Sequence, residues 1–129
     1  MNQAVIGIGS NIDPEANIAR ACDFLRRRHA VLAQSKVVET EPIGFDDQPN
    51  YLNTTLLIGT TLDREAFREE LRDIERRQGR VRTGNKYDQR TIDLDIVVWN
   101  GEVVDDDFYE RDFLREGVRE ICPQLELEG

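Results

Sequence analysis

The chain predicts an α+β fold, an antiparallel sheet with helices packed on it. Three observations carry this. Short runs around 3–9, 31–40, 51–62 and 91–99 are rich in Val, Ile, Leu and Thr and bounded by polar or turn residues. Two stretches, ending near Arg28 and before Gln78, repeat apolar residues at helical spacing. The resulting order, β-α-β-β-α-β, places both helices on one face of an antiparallel sheet.

Each element has a local cause. Gln3 to Gly9 forms a first strand, and Gly9-Ser10-Asn11 is turn chemistry. Asp13 is expected to cap a helix that has Pro14 at its first position and Glu15 in its first turn. Ile18, Ala21, Cys22 and Leu25 make its apolar stripe, and Arg26–Arg28 suits the negative pole of the helix dipole. His29, the single histidine, reads as a surface or cap residue rather than a catalytic one. Val31 to Thr40 reads as one second strand, and Glu41 to Asn50 as a long polar loop, a common place for function. Tyr51 to Leu62 is a third strand. Asp63 caps a second helix whose stripe is Phe67, Leu71 and Ile74. A polar, basic loop covers 78–89. A strand at 91–99 follows, then an Asn100-Gly101 hairpin turn with a short return strand to Val104. Asp105–Asp107 reads as a solvated turn, and Phe113 to Ile121 as a last helix stopped by Pro123. The whole corresponds to a ferredoxin-like α+β sandwich.

Composition bounds the function. The 129 residues read as one domain, 1–129, large enough for a core without disulfides. The formal net charge of −9 argues against nucleic-acid or membrane-surface binding, while residues 76–90 still offer a local cationic pocket. No apolar stretch is long enough for a membrane span, and the N-terminus lacks the pattern of a signal peptide. Cys22 and Cys122 have no metal spacing and read as reduced thiols of a cytoplasmic protein.

The chemistry is concentrated in Arg90-Thr-Ile-Asp-Leu-Asp95. Side chains alternate along a strand, so Asp93 and Asp95 share a face. Carboxylates that close repel unless a cation lies between them or one is protonated. Mg²⁺ takes one or two carboxylates together with substrate phosphates. Arg80, Arg82, Lys86 and Arg90 stand just upstream, which fits polyphosphate and metal. The same residues also read as a solvated acidic face with charge pairing. Gly7-Ile-Gly9 begins like a dinucleotide fingerprint but lacks the third glycine and the parallel unit, and no Walker-type loop is present. Any nucleotide must be held by side chains and metal.

Dispersed motifs point further. Gly9-Ser-Asn11, Glu41-Pro-Ile-Gly44, Asp47-Gln-Pro-Asn-Tyr-Leu-Asn53, Ile74-Glu75 with Gln78-Gly-Arg-Val-Arg82, and Arg90-Thr-Ile-Asp-Leu-Asp95 occur in this order. Together they resemble the 6-hydroxymethyl-7,8-dihydropterin pyrophosphokinase family of folate biosynthesis. That family has a ferredoxin-like core and moves pyrophosphate from ATP to the pterin hydroxymethyl group, releasing AMP. The resemblance implies two Mg²⁺ ions on Asp93 and Asp95, with Asp95 near the attacking hydroxyl and Arg80 and Arg90 on phosphates. It implies a nucleotide side formed by Glu75, Arg80, Arg82, Lys86, Tyr87, Arg90, Ile96 and Arg111. It implies a pterin side formed by Thr40, Pro42, Ile43, Gly44, Asn53, Tyr51 and Phe113, the last two stacking on the ring. The expected partners are ATP and a reduced hydroxymethylpterin, with no nucleic acid and no membrane.

The chain also departs from the family pattern. Lys86-Tyr-Asp-Gln89 stands where the family has Arg-Trp-Gly-Pro, and Glu41 replaces a proline. After Val104 a segment with a Pro-His pair is missing, leaving Arg111 or Arg115 as replacement cations, and few residues follow Cys122-Pro123. Two alternatives therefore accompany the active enzyme: a pterin- or nucleotide-binding homologue impaired in catalysis, and a related transferase acting on a modified pterin.

Overall fold

The computed structural model describes residues 1–41, 49–79 and 92–123. Within them the elements are β1 (Asn2–Ser10), α1 (Pro14–Arg28), β2 (Ala30–Gln34), β3 (Val38–Thr40), β4 (Tyr51–Thr60), α2 (Arg64–Arg77), β5 (Asp93–Trp99), β6 (Glu102–Val103), α3 (Asp107–Glu110) and α4 (Asp112–Ile121). The sheet runs β2-β4-β1-β5-β6, with β3 also on β4, and the pairings are antiparallel. The α+β expectation holds: β1 is central, flanked by β4 and β5, and α1 and α2 lie on one face.

Alternation along β1 builds two cores. Ala4, Ile6 and Ile8 face α1 and α2, where they join Ile18, Ala21, Leu25, Phe67, Leu71 and Ile74. Val5 faces the other way and packs with Val97, Val98, Phe108, Leu114, Val118 and Ile121 of the second cluster. Helix α4 thus covers part of the second sheet face. The rest of that face lies open over Gly7 and Gly9.

Strand β5 carries a bulge. Val5 pairs with Val98 and Ile6 with Ile96, so Val97 is an extra residue between them. Strict alternation to Val98 therefore fails: Val97 and Val98 both enter the second core, while Trp99 packs on the first. The bulge falls beside the open face.

The expected strand from Val31 to Thr40 is two strands. Ser35 interrupts it, because its Oγ accepts from Thr55 N at 2.9 Å and from Thr55 Oγ1 at 2.8 Å. Lys36 N then donates to Glu120 of α4 at 2.8 Å, drawing the chain off the sheet edge. The expected cap at Asp63 is present, with Oδ1 accepting from Ala66 N at 2.8 Å. The cap at Asp13 is not: Asp13 has φ 40 and its side chain makes no cap bond. Asn17 does the local work from inside, donating to Ile12 O at 2.6 Å.

His29 ends α1 as expected but is not a surface group. Its side chain is 5% exposed and its Nε2 lies 3.1 Å from Glu70 Oε1. Cys22 and Cys122 are buried free thiols, and burial pushes both upward in pKa. Asn100 and Gly101, with φ 47 and 87, make the expected hairpin turn.

Candidate functional site

The open face of the sheet is the floor of a cavity of about 310 Å³. Gly7 and Gly9 form that floor because they alternate with inward-facing Ile6 and Ile8. A Cβ on Gly7 would lie 3.1 Å from Leu114 Cδ2, and one on Gly9 would lie 2.9 Å from Asn53 Oδ1. Both glycines are there for space. The sequence reads them as an incomplete dinucleotide motif, yet glycine at every second position of a strand signals a smooth sheet face.

Register places the two aspartates on this floor. Asp93 stands opposite Gly9 and Asp95 opposite Gly7. Both line the cavity with Thr40, Tyr51, Asn53, Phe113 and Arg111. The sheet and α4 thus bring together residues that are separated widely in sequence. Asn53 and Thr40 are already joined, Nδ2 donating to Oγ1 at 2.7 Å. Tyr51 rises from the start of β4 and Phe113 from the first turn of α4.

Electrostatics distinguish Asp95. Burial, reinforced by the Asp93 charge, raises its pKa to about 7 from the ordinary 3.8, although Arg72 pulls the other way and Asp105 adds a further push. Arg72 Nη2 lies 3.1 Å from Asp95 Oδ1, whose side chain is 38% exposed. Asp105, expected in a solvated turn, lines the cavity instead, and burial raises its carboxyl as well. Asp107, Glu110 and Glu41 complete an acidic rim that the sequence did not point out as one.

Three expected residues take up structural contacts. Glu75 was expected beside the nucleotide, but it is only 2% exposed. Its Oε2 accepts from Leu94 N at 2.8 Å and its Oε1 pairs with Arg72 at 2.8 Å, so it is a strut between α2 and β5. Ile96 was also expected there; its side chain packs against the α1–α2 core, on the opposite face from Asp95. Arg115 is turned to the end of α3, donating to Phe108 O at 3.0 Å and pairing with Asp112, which leaves Arg111 as the cation lining the cavity among the described residues. Pro42, Ile43, Gly44, Arg80, Arg82, Lys86, Tyr87 and Arg90 lie outside the described residues. Arg72 went unnoticed in the sequence; its spacing of three from Glu75 was the available signal.

The donor set fits a hard divalent cation. Two carboxylates share one cavity wall, and burial together with the Asp93 charge raises the proton affinity of Asp95. Among the described residues no three His, Cys, Asp or Glu side chains are grouped to cage an ion. Among the described residues no helix is long and apolar enough to cross a membrane.

Comparison with known proteins shows the family. The family described as 7,8-dihydro-6-hydroxymethylpterin-pyrophosphokinase (HPPK) matches residues 5–123. The 2-amino-4-hydroxy-6-hydroxymethyldihydropteridine pyrophosphokinase of Bacillus subtilis is 35% identical, across 99% of this chain and 83% of its own length. The protein of the same name from Haemophilus influenzae is 32% identical, across 98% of this chain and 86% of its own. That from Helicobacter pylori is 33% identical, across 77% and 63%. With a family match spanning nearly all of its length, the chain belongs to the 7,8-dihydro-6-hydroxymethylpterin-pyrophosphokinase family.

Proposed function

We propose that Asp93 and Asp95 hold Mg²⁺ while this chain transfers pyrophosphate from ATP to the hydroxymethyl group of 6-hydroxymethyl-7,8-dihydropterin, releasing AMP. The transfer itself is the reaction of the family. The observation that supports the assignment of residues is one cavity holding both aspartates, the Asn53–Thr40 pair and two aromatic rings.

The pterin seats between Tyr51 and Phe113, whose faces suit a flat bicyclic ring. Asn53 and Thr40 meet its polar edge, and their mutual hydrogen bond fixes both before the ligand arrives. Asp93 and Asp95 would hold the Mg²⁺, which would supply charge neutralisation to the phosphates. Arg111 adds a cation at the same wall. With the pterin ring held on the glycine floor, its hydroxymethyl group is oriented for in-line attack, and positioning carries most of the catalysis in phosphoryl transfer. Arg80, Arg82, Lys86 and Arg90 belong to this proposal as phosphate contacts on the strength of the resemblance, as do Pro42, Ile43 and Gly44 for the pterin and Tyr87 for the nucleotide. Cytoplasmic placement is part of the same reading, supported by the two free thiols.

The acidic rim favours a second reading. Glu41, Asp105, Asp107 and Glu110 face the space that polyphosphate must enter. Their repulsion is what a pterin-binding protein that has lost turnover would show. Nucleotide chromatography after mixing protein, ATP, Mg²⁺ and the reduced hydroxymethylpterin decides. AMP formed only when pterin and Mg²⁺ are both present is the expected result. Pterin binding by calorimetry without AMP selects the second reading.

A further inference from the structure

The backbone of Leu94, between the two aspartates, lies on an edge of the sheet. Strand β1 pairs with the inner edge of β5, whereas β6 pairs only with Val98 and Trp99. Among the described residues no strand covers the outer edge at Leu94, which is nevertheless fully buried. Buried backbone groups require partners. Helix α2 supplies them: Glu75 Oε2 accepts from Leu94 N at 2.8 Å, and Arg72 Nη1 donates to Leu94 O at 2.9 Å. Arg72 Nη1 also pairs with Glu75 Oε1 at 2.8 Å. The other terminal nitrogen of the same guanidinium reaches Asp95 Oδ1 at 3.1 Å.

We infer that Arg72 is a positioning residue for Asp95: paired with Glu75 it satisfies the outer edge of β5 at Leu94, and its second terminal nitrogen both fixes the Asp95 carboxylate and competes with the cation that shares its oxygens. The inference rests on the reading of Asp93 and Asp95 as metal ligands. The planar guanidinium meets three acceptors on two elements at fixed angles, which an ammonium cannot do. Removing it therefore has two separable effects. Asp95 loses its orientation, and turnover falls. A positive charge beside the carboxylate pair disappears, and a divalent cation binds more tightly. A purely structural role would not separate them, because a loosened β5 weakens cation binding and turnover together.

The test is a Mn²⁺ titration of the full chain without nucleotide, followed by electron paramagnetic resonance, beside steady-state kinetics with Mg²⁺, ATP and pterin. Arg72→Gln is expected to bind Mn²⁺ about threefold to tenfold more tightly, from loss of one nearby charge. Its kcat is expected to drop by about tenfold or more, the effect of a misplaced group. Arg72→Lys is expected to keep Mn²⁺ affinity within about twofold while kcat still falls, since it keeps charge without the fork. Unchanged or weaker Mn²⁺ binding in a folded Arg72→Gln protein overturns the inference. If that variant does not fold, Arg72→Lys decides: loss of kcat with preserved Mn²⁺ affinity supports it, and any other combination overturns it. Absence of Mn²⁺ binding in the wild-type chain instead removes the ligand reading of Asp93 and Asp95, and the inference with it.

Discussion

Gly117 of α4 stands directly over Thr55 of β4: a Cβ on Gly117 would lie 2.8 Å from Thr55 Oγ1 and 3.3 Å from Ser35 Oγ. Neither hydroxyl is free to retreat. Thr55 Oγ1 donates to Ser35 Oγ at 2.8 Å, and that oxygen also accepts from Thr55 N at 2.9 Å. The bare glycine lets α4 approach the sheet and so sets where Phe113 enters the cavity.

Gly117→Ala therefore forces α4 outward. Overpacking costs roughly 1–3 kcal/mol, and the better helix propensity of alanine returns about 1 kcal/mol. The expected net loss is about 1 kcal/mol, read by urea denaturation. Because the displaced helix carries Phe113, pterin affinity should fall more than ATP affinity. Equal stability and equal pterin binding would show that α4 does not position the ring.

Asn53 joins the fold to the ligand in a different way. It is buried, and its amide donates to Thr40 Oγ1 at 2.7 Å. Asn53→Ala removes that bond and the proposed contact to the pterin edge. A lost hydrogen bond of about 1–1.5 kcal/mol corresponds to roughly tenfold weaker pterin binding. Calorimetry with pterin alone should show that loss, while nucleotide affinity stays near wild type. A parallel loss for both ligands would mean a general collapse of the cavity.

Much of this fold was legible because its signals are local. Apolar periodicity marked the two main helices, Asp63 marked a helix start, and Asn100-Gly101 marked the hairpin. The split between β2 and β3 was not legible, because it depends on the Ser35 hydroxyl meeting Thr55, twenty positions away. The Val97 bulge depends on register with β1, which no single strand encodes. The site followed the same division. Asp93 and Asp95 declare a shared face by their spacing of two. Asp105 became a cavity residue only when the β5–β6 hairpin folded back, and Glu75 became a strut only when α2 docked beside β5.

Asp95 supplies the pH prediction. Its folded-state pKa of about 7 lies above the ordinary 3.8, because burial and Asp93 disfavour the charge more than Arg72 favours it. The folded protein thus binds this proton more tightly than the unfolded chain. The resulting stabilisation is present at acid pH, declines as pH rises from about 4 to about 7, and is lost above that range. Asp95→Asn does not titrate there. In metal-free protein, the melting temperature of the variant minus that of the wild type should therefore be larger at pH 8 than at pH 5. Mg²⁺ with a nonhydrolysable ATP analogue should narrow the gap at pH 8 by stabilising the charged wild-type pair and not the variant. Turnover should be lost in the variant at every pH, with its circular dichroism unchanged. A gap that is the same at pH 5 and pH 8 would mean that Asp95 titrates like an ordinary surface carboxylate, and the electrostatic case for a waiting cation site would fail with it.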